Sequence, residues 1–231
     1  MKKYVNLFVF VFMVGACFSQ GKAQTKSAVS YKNPVVDIAM PDPTVIKAAD
    51  GYFYVYATES TRNVPIMKSK DLVQWTYCNT AFTNKTRPRF EPKAGIWAPD
   101  INYINNKYVL YYAMSVWGGE QTCGIGVATA NSPQGPFTDH GKMFRSNEIG
   151  VQNSIDPSFL QYEGRNYLVW GSFRGIYVIE LTEDGLSLKP GAEKKRIAGT
   201  AFEAAYIHKH GDYYYMSVSY THLTLPTKLE V

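Results

Sequence analysis

The 231 residues suffice for one sizeable core, and 18 Tyr and 12 Phe against 19% charged residues favour strands over long helices. A net charge of +5 without a basic stripe interleaved with aromatics argues against a nucleic-acid partner. No Cys/His cluster has metal-ligand spacing, so a structural zinc site is not expected and no metal ligand is assignable.

Residues 1–24 read as an export signal: Lys2 and Lys3 precede the apolar run Val5 to Phe18, and Gly21-Lys-Ala23 offers a small-residue cleavage site. The run is too short for a stable membrane span. Val14-Gly-Ala-Cys17 also resembles a lipoprotein box, in which Cys17 would carry lipid at the bacterial surface. Secretion and lipid anchoring therefore stand side by side, and both place the mature domain outside the cytoplasm. Cys78 and Cys123 remain, and nothing in their spacing says whether they pair.

Residues 25–39 look like a linker, and 40–218 repeat one pattern four times. Asp42-Pro-Thr-Val45 leads into Gly51-Tyr-Phe-Tyr-Val-Tyr56, and Asp100-Ile-Asn-Tyr103 into Lys107-Tyr-Val-Leu-Tyr-Tyr112. Asp156-Pro-Ser-Phe159 leads into Asn166-Tyr-Leu-Val-Trp170, and Glu203-Ala-Ala-Tyr206 into Asp212-Tyr-Tyr-Tyr-Met216. An acid, a short strand, a turn and an aromatic strand, repeated roughly every 50 residues, predict propeller blades with one carboxylate at the same place in each. The predicted blades run from Met40 to Tyr77, Ala98 to Phe144 and Ser154 to Leu188, with two strands of a fourth from Ala201. From Ser219 to Val231 the pattern stops, and that tail reads as non-native sequence. The fold class expected is all-β: a five-bladed β-propeller, incomplete here, with about three and a half blades present. The 231-residue polypeptide is accordingly expected to be unstable and inactive.

Acids at the starts of inner strands would converge on a central channel. Glycoside hydrolysis needs such carboxylates, one to activate water and one to protonate the leaving oxygen. An Asp-Pro at a strand start is otherwise an ordinary turn or edge device. Asp100 is expected to bond backbone amides rather than react. His140 and His208 read as hydrogen-bonded strand or turn residues, and His222 falls in the tail.

Five phrases in order carry a family resemblance: Pro41-Asp-Pro-Thr44, Trp97-Ala-Pro-Asp100, Ser154-Ile-Asp-Pro157, Gly171-Ser-Phe173 and Ile197-Ala-Gly-Thr-Ala-Phe-Glu203. Together they resemble glycoside hydrolase family 43 and, within it, the endo-1,5-α-L-arabinanases. The resemblance implies an inverting enzyme with Asp42 as general base, Glu203 as general acid, and Asp156 as a third carboxylate that tunes the acid's pKa and orients it. It places substrate near Asp42, Trp97, Gly118, Asn153, Ser154, Ile155, Asp156, Ser172, Phe173 and Arg174, with Trp97 as a stacking platform and Arg174 either lining the cleft or solvated. The family's usual proline after the acid is replaced by Ala205. The chemistry requires no cofactor, although the resemblance allows a structural Ca2+ or other cation in the channel, held by ligands outside this sequence. The expected partner is plant cell-wall arabinan or its oligosaccharides, and the whole protein is expected to be a monomer. Two alternatives keep the fold: an exo-acting β-xylosidase or α-L-arabinofuranosidase, and a non-catalytic glycan-binding propeller.

Overall fold

Alternating aromatic and β-branched residues build four antiparallel sheets in the computed structural model, which describes residues 30–219. The first sheet joins β1 (Thr44–Lys47), β2 (Phe53–Tyr56), β3 (Pro65–Ser69) and β4 (Trp75–Thr80) in sequence order. The second joins β5 (Gly95–Ile104), β6 (Lys107–Ser115), β7 (Gly124–Ala130) and β8 (Thr138–Arg145), followed by the short helix α1 (Ser146–Ile149). The third joins β9 (Ser158–Tyr162), β10 (Arg165–Trp170), β11 (Ile176–Glu180) and β12 (Lys195–Ala198). The last pairs β13 (Glu203–His210) with β14 (Tyr213–Ser219). Three blades and the first half of a fourth are therefore present among the described residues, as expected of an incomplete propeller.

Tight turns fix the register. Asn105 and Asn106 both take positive φ, 47° and 62°, between β5 and β6, as a two-residue hairpin of matching twist requires. Within β6 the side chains then alternate between two interfaces. Tyr108, Leu110, Tyr112 and Met114 pack toward the first sheet with Tyr54, Ile66, Phe82 and Phe137. Val109 and Tyr111 pack toward the third sheet with Phe144, Leu168, Trp170 and Ile179. Each fully buried side chain of this size contributes about 1.5–3 kcal/mol, so β6 is the main buried strand of the core. The seam between the third and fourth sheets is smaller: Val169, Ile176, Ala205 and Met216 are its fully buried members.

The structure departs from the sequence reading at several element ends; β4 runs on to Thr80 and β5 begins at Gly95. The third blade does not end at Leu188, because Lys195–Ala198 adds its outer strand. Lys195 and Arg196 are exposed there, an edge-strand composition whose alternation is too short to announce itself. Strand β14 continues through Ser219, which pairs with Glu203, so the regular pattern outlasts the predicted break by one residue. Helix α1 was not expected; it closes on Gly150, whose N–H donates to the Ser146 carbonyl at 2.9 Å. The signal and lipid-box readings of residues 1–24, and the tail from residue 220 onward, lie outside the described residues. Cys78 and Cys123 are both free thiols. Among the described residues no helix is long and apolar enough to cross a membrane.

Candidate active site

Each sheet has a left-handed residue just before or within the first few residues of its first strand. The four are Asp42 (φ 48°), Ala98 (φ 40°), Asp156 (φ 57°) and Ala204 (φ 52°), and the first three are followed by proline. Non-glycine residues at positive φ carry strain that surrounding contacts must hold, and such residues cluster at functional sites. Aligning these kinks corrects the equivalence expected of the four acids. Asp42 and Asp156 are the kink residues themselves, Glu203 comes one residue before its kink, and Asp100 lies two residues after its own.

That offset decides the role of Asp100. Two positions past the kink, its side chain is buried, and its Oδ2 accepts the Phe159 N–H at 2.7 Å and the Asn102 amide at 2.8 Å. Thr44 donates to Oδ1 at 3.4 Å. Burial pushes Asp100 up to about 6, against the lowering effect of these donors. A carboxylate tied to β1, β5 and the start of β9 fastens three sheets together, the structural role expected of it.

Asp42 and Asp156 line a channel of about 740 Å³ together with Thr44, Asp100, Asn102 and Tyr206, and Glu203 directly precedes the lining residue Ala204. Thr58 donates its hydroxyl to Asp42 Oδ2 at 2.6 Å. Ser172, itself buried, donates to Glu203 Oε2 at 2.9 Å, and its backbone bridges to the same residue. The Ala204 N–H donates to Asp156 Oδ2 at 3.2 Å, so the kink after Glu203 hands its amide to the neighbouring acid. Asp156 is pushed up to about 7, first by burial and then by the negative charges of Glu203 and Asp42. The shared lining of Asp42 and Asp156, and the Ala204 amide that ties Asp156 to the segment carrying Glu203, bring the three carboxylates together.

Directly before the Ala98 kink, two aromatic rings pack together. Trp97 packs against Trp117 with ring centroids 5.5 Å apart and a 51° interplanar angle, and Trp117 is 93% exposed. A Cβ on Gly95 would collide with the Trp97 indole nitrogen, so the glycine is what lets that ring lie across the strand start. Gly118 takes φ 79° in the turn that presents Trp117. Trp117 was missed in the sequence; a Trp-Gly-Gly turn directly after a buried strand was the available signal.

The remaining expected residues divide. Asn153 and Ile155 shape the loop before Asp156: the Asn153 amide donates to the Ser172 carbonyl at 3.0 Å, and Gly171 N–H donates to the Ile155 carbonyl at 3.0 Å. Phe173 is half-buried at φ 51°, its N–H donating to the Phe202 carbonyl at 2.9 Å. Ser154 is fully buried; its hydroxyl donates to the Val151 carbonyl at 2.8 Å and accepts from the Trp170 indole at 3.1 Å. Its side chain thus supports the loop from beneath instead of facing the cleft, where the resemblance would put it. Arg174 is solvated yet anchored, forking onto Glu120 at 2.8–3.1 Å across the gap between the second and third sheets. His140 bonds Thr129 at 2.8 Å, and His208 stacks between Tyr206 and Tyr215.

The described residues do not supply the channel cation that the resemblance allows. No group of three or more His, Cys, Asp or Glu among them has the geometry to hold a metal. The channel's buried acid, Asp100, already has donors on both oxygens.

Comparison with known proteins agrees with this geometry. The family described as glycosyl hydrolases family 43 matches residues 31–231. The extracellular endo-α-(1→5)-L-arabinanase 1 of Bacillus subtilis is 35% identical over 193 residues, covering 78% of this chain and 58% of that protein. The chain thus spans less than two thirds of that relative's length. The native structure of Bacillus subtilis arabinanase Arb43A superposes with a TM-score of 0.70 at 31% identity, covering 80% of this chain and 67% of that one. An exo-1,5-α-L-arabinanase from a bovine ruminal metagenomic library superposes at 0.69 with 30% identity, covering 84% and 69%.

Proposed function

This chain belongs to glycosyl hydrolase family 43, and on that premise we propose that its protein hydrolyses α-1,5-linked L-arabinofuranosyl bonds within arabinan, inverting the anomeric centre. The observation that carries the reading is that Asp42 and Asp156 line one channel while the amide of Ala204, the residue after Glu203, donates to Asp156. Asp42 takes a proton from water as its oxygen bonds to the anomeric carbon. Glu203 gives a proton to the glycosidic oxygen as that bond breaks, so protons and charge balance across the site. Asp156 neighbours Glu203 and is bonded to the following amide, which suits a carboxylate that orients the acid. Trp97 and Trp117 suit the stacking of sugar rings, because aromatic faces bury apolar C–H surface well. The partner proposed is the arabinan of plant cell walls, met outside the cytoplasm by an exported protein, either secreted or anchored through Cys17.

In the full-length protein, Asp42→Asn is expected to lower arabinan hydrolysis by about 10³-fold or more, since it removes the base that activates water. Thermal stability should stay within about 2 °C of the parent, because Asp42 is exposed. Parent-like turnover by the variant sinks the reading. A second reading, exo action, is favoured by the likeness to the ruminal exo-arabinanase. Product length separates the two: short oligomers from linear arabinan support endo cleavage, and monomer alone supports exo cleavage.

A further inference from the structure

We propose that Thr58 is a positioning residue for Asp42, fixing which carboxylate oxygen is left to face water. The proposal rests on the reading of Asp42 as the base. A threonine hydroxyl has one proton to give, and its direction depends on what occupies the oxygen's lone pairs. Here the Ala98 N–H donates to Thr58 Oγ1 at 2.7 Å, so the hydroxyl proton is free to point at Asp42 Oδ2, 2.6 Å away. Among the described residues no donor reaches Asp42 Oδ1, which leaves that oxygen as the one available to take a proton.

The backbone of Thr58 acts on the same target. Its N–H donates to the Pro41 carbonyl at 2.9 Å, so one residue grips both the chain before Asp42 and its side chain. Asp42 and Ala98 are both left-handed residues, and Thr58 is hydrogen-bonded to each of these strained kinks. Thr58 is in turn held by its neighbour. Glu59 forms a buried ion pair with Arg87 and accepts the Ile96 N–H at 3.0 Å, which pins this segment to the start of β5. The base of the first blade and the strand bearing Trp97 in the second are therefore oriented through one hydroxyl.

The test compares Thr58→Val, which keeps the shape and loses the hydroxyl, with Thr58→Ser, which keeps the hydroxyl, in the full-length protein. Loss of a hydrogen bond to a charged group predicts a fall in kcat of about 10- to 100-fold for Thr58→Val. KM on linear arabinan should stay within about twofold, and Thr58→Ser should remain within about threefold of the parent in kcat. Parent-like kcat in Thr58→Val overturns the proposal. So does a rise in KM matching the fall in kcat, or failure of Thr58→Ser to restore turnover, since either would mark a general structural role. Crystal structures of parent and Thr58→Val supply a readout independent of turnover: the Asp42 carboxylate should rotate or split in the variant, and an unmoved carboxylate overturns the proposal. If the parent cleaves no arabinan, the functional reading alone fails, and the carboxylate's orientation still decides the role of Thr58.

Discussion

Asp156 sits where burial and two neighbouring carboxylates all oppose its ionisation, and its proton is held up to about 7 against an ordinary 3.8. An acid raised in this way binds its proton more tightly in the folded state than in the unfolded one. Its contribution to stability is therefore fully present below about pH 4 and is lost as pH rises through 7. Asp156→Asn removes that titration while keeping an oxygen for the Ala204 N–H. The variant should melt several degrees above the parent at pH 8, and the gap should close near pH 4. Thermal melts across that range check the sign; a gap independent of pH contradicts it. The three acids were legible in the sequence because each is embedded in a short local phrase with proline or phenylalanine beside it. Thr58 and Trp117 were not, because their roles arise from partners 16 and 40 residues away for Thr58, and from a second ring 5.5 Å away for Trp117. Ser154 was misplaced for the converse reason. A serine two residues before an acid looks polar and exposed in sequence, yet Trp170 and Val151 draw its hydroxyl inward.

The strand start is the element on which blades differ. Proline after the kink removes a backbone donor and disfavours helical geometry in the residue before it, which suits an abrupt entry into β-structure. Blades one and three put the acid on the kink, while blade two puts alanine there and moves the acid inward to Asp100. The sequence pattern of acid plus strand hid this two-residue offset, because both registers leave the acid beside a proline: Asp42-Pro43 and Pro99-Asp100. Asp100→Ala should consequently behave as a structural change. It leaves the part-buried Phe159 N–H and Asn102 amide without their acceptor, at an expected cost of about 1–3 kcal/mol. Asp100→Asn retains an acceptor and should cost less than Asp100→Ala. Urea unfolding measures both; equal, small losses would show that the carboxylate does not fasten the sheets.

At the scale of the molecule, the sheets are unequally supported. The second sheet is covered on both faces through β6, whereas β13 and β14 rest on the smaller seam of Val169, Ile176, Ala205 and Met216. Tyr206 and Tyr213 are 56% and 49% exposed, and Tyr214 meets the edge of Tyr162 and the Lys209 ammonium. A two-stranded hairpin is marginal by itself and depends on the face that it buries. The blades were readable from the repeat, except for the outer strand of the third, but this imbalance was not, because it depends on which faces meet. Amide protons of β13 and β14 should therefore exchange at least about 100-fold faster than those of β6, since local opening is easiest where buried apolar contact is least. The same exposed tyrosines should make the isolated polypeptide of residues 25–231 associate at micromolar concentration, because contiguous exposed apolar surface promotes self-association. Hydrogen exchange with mass spectrometry measures the first effect, and light scattering on eluting protein measures the second. Uniform protection across all four sheets, with monomeric elution and one cooperative melt, would mean that the hairpin draws its stability from its own tyrosine and histidine stack, Tyr206–His208–Tyr215, instead of from the seam.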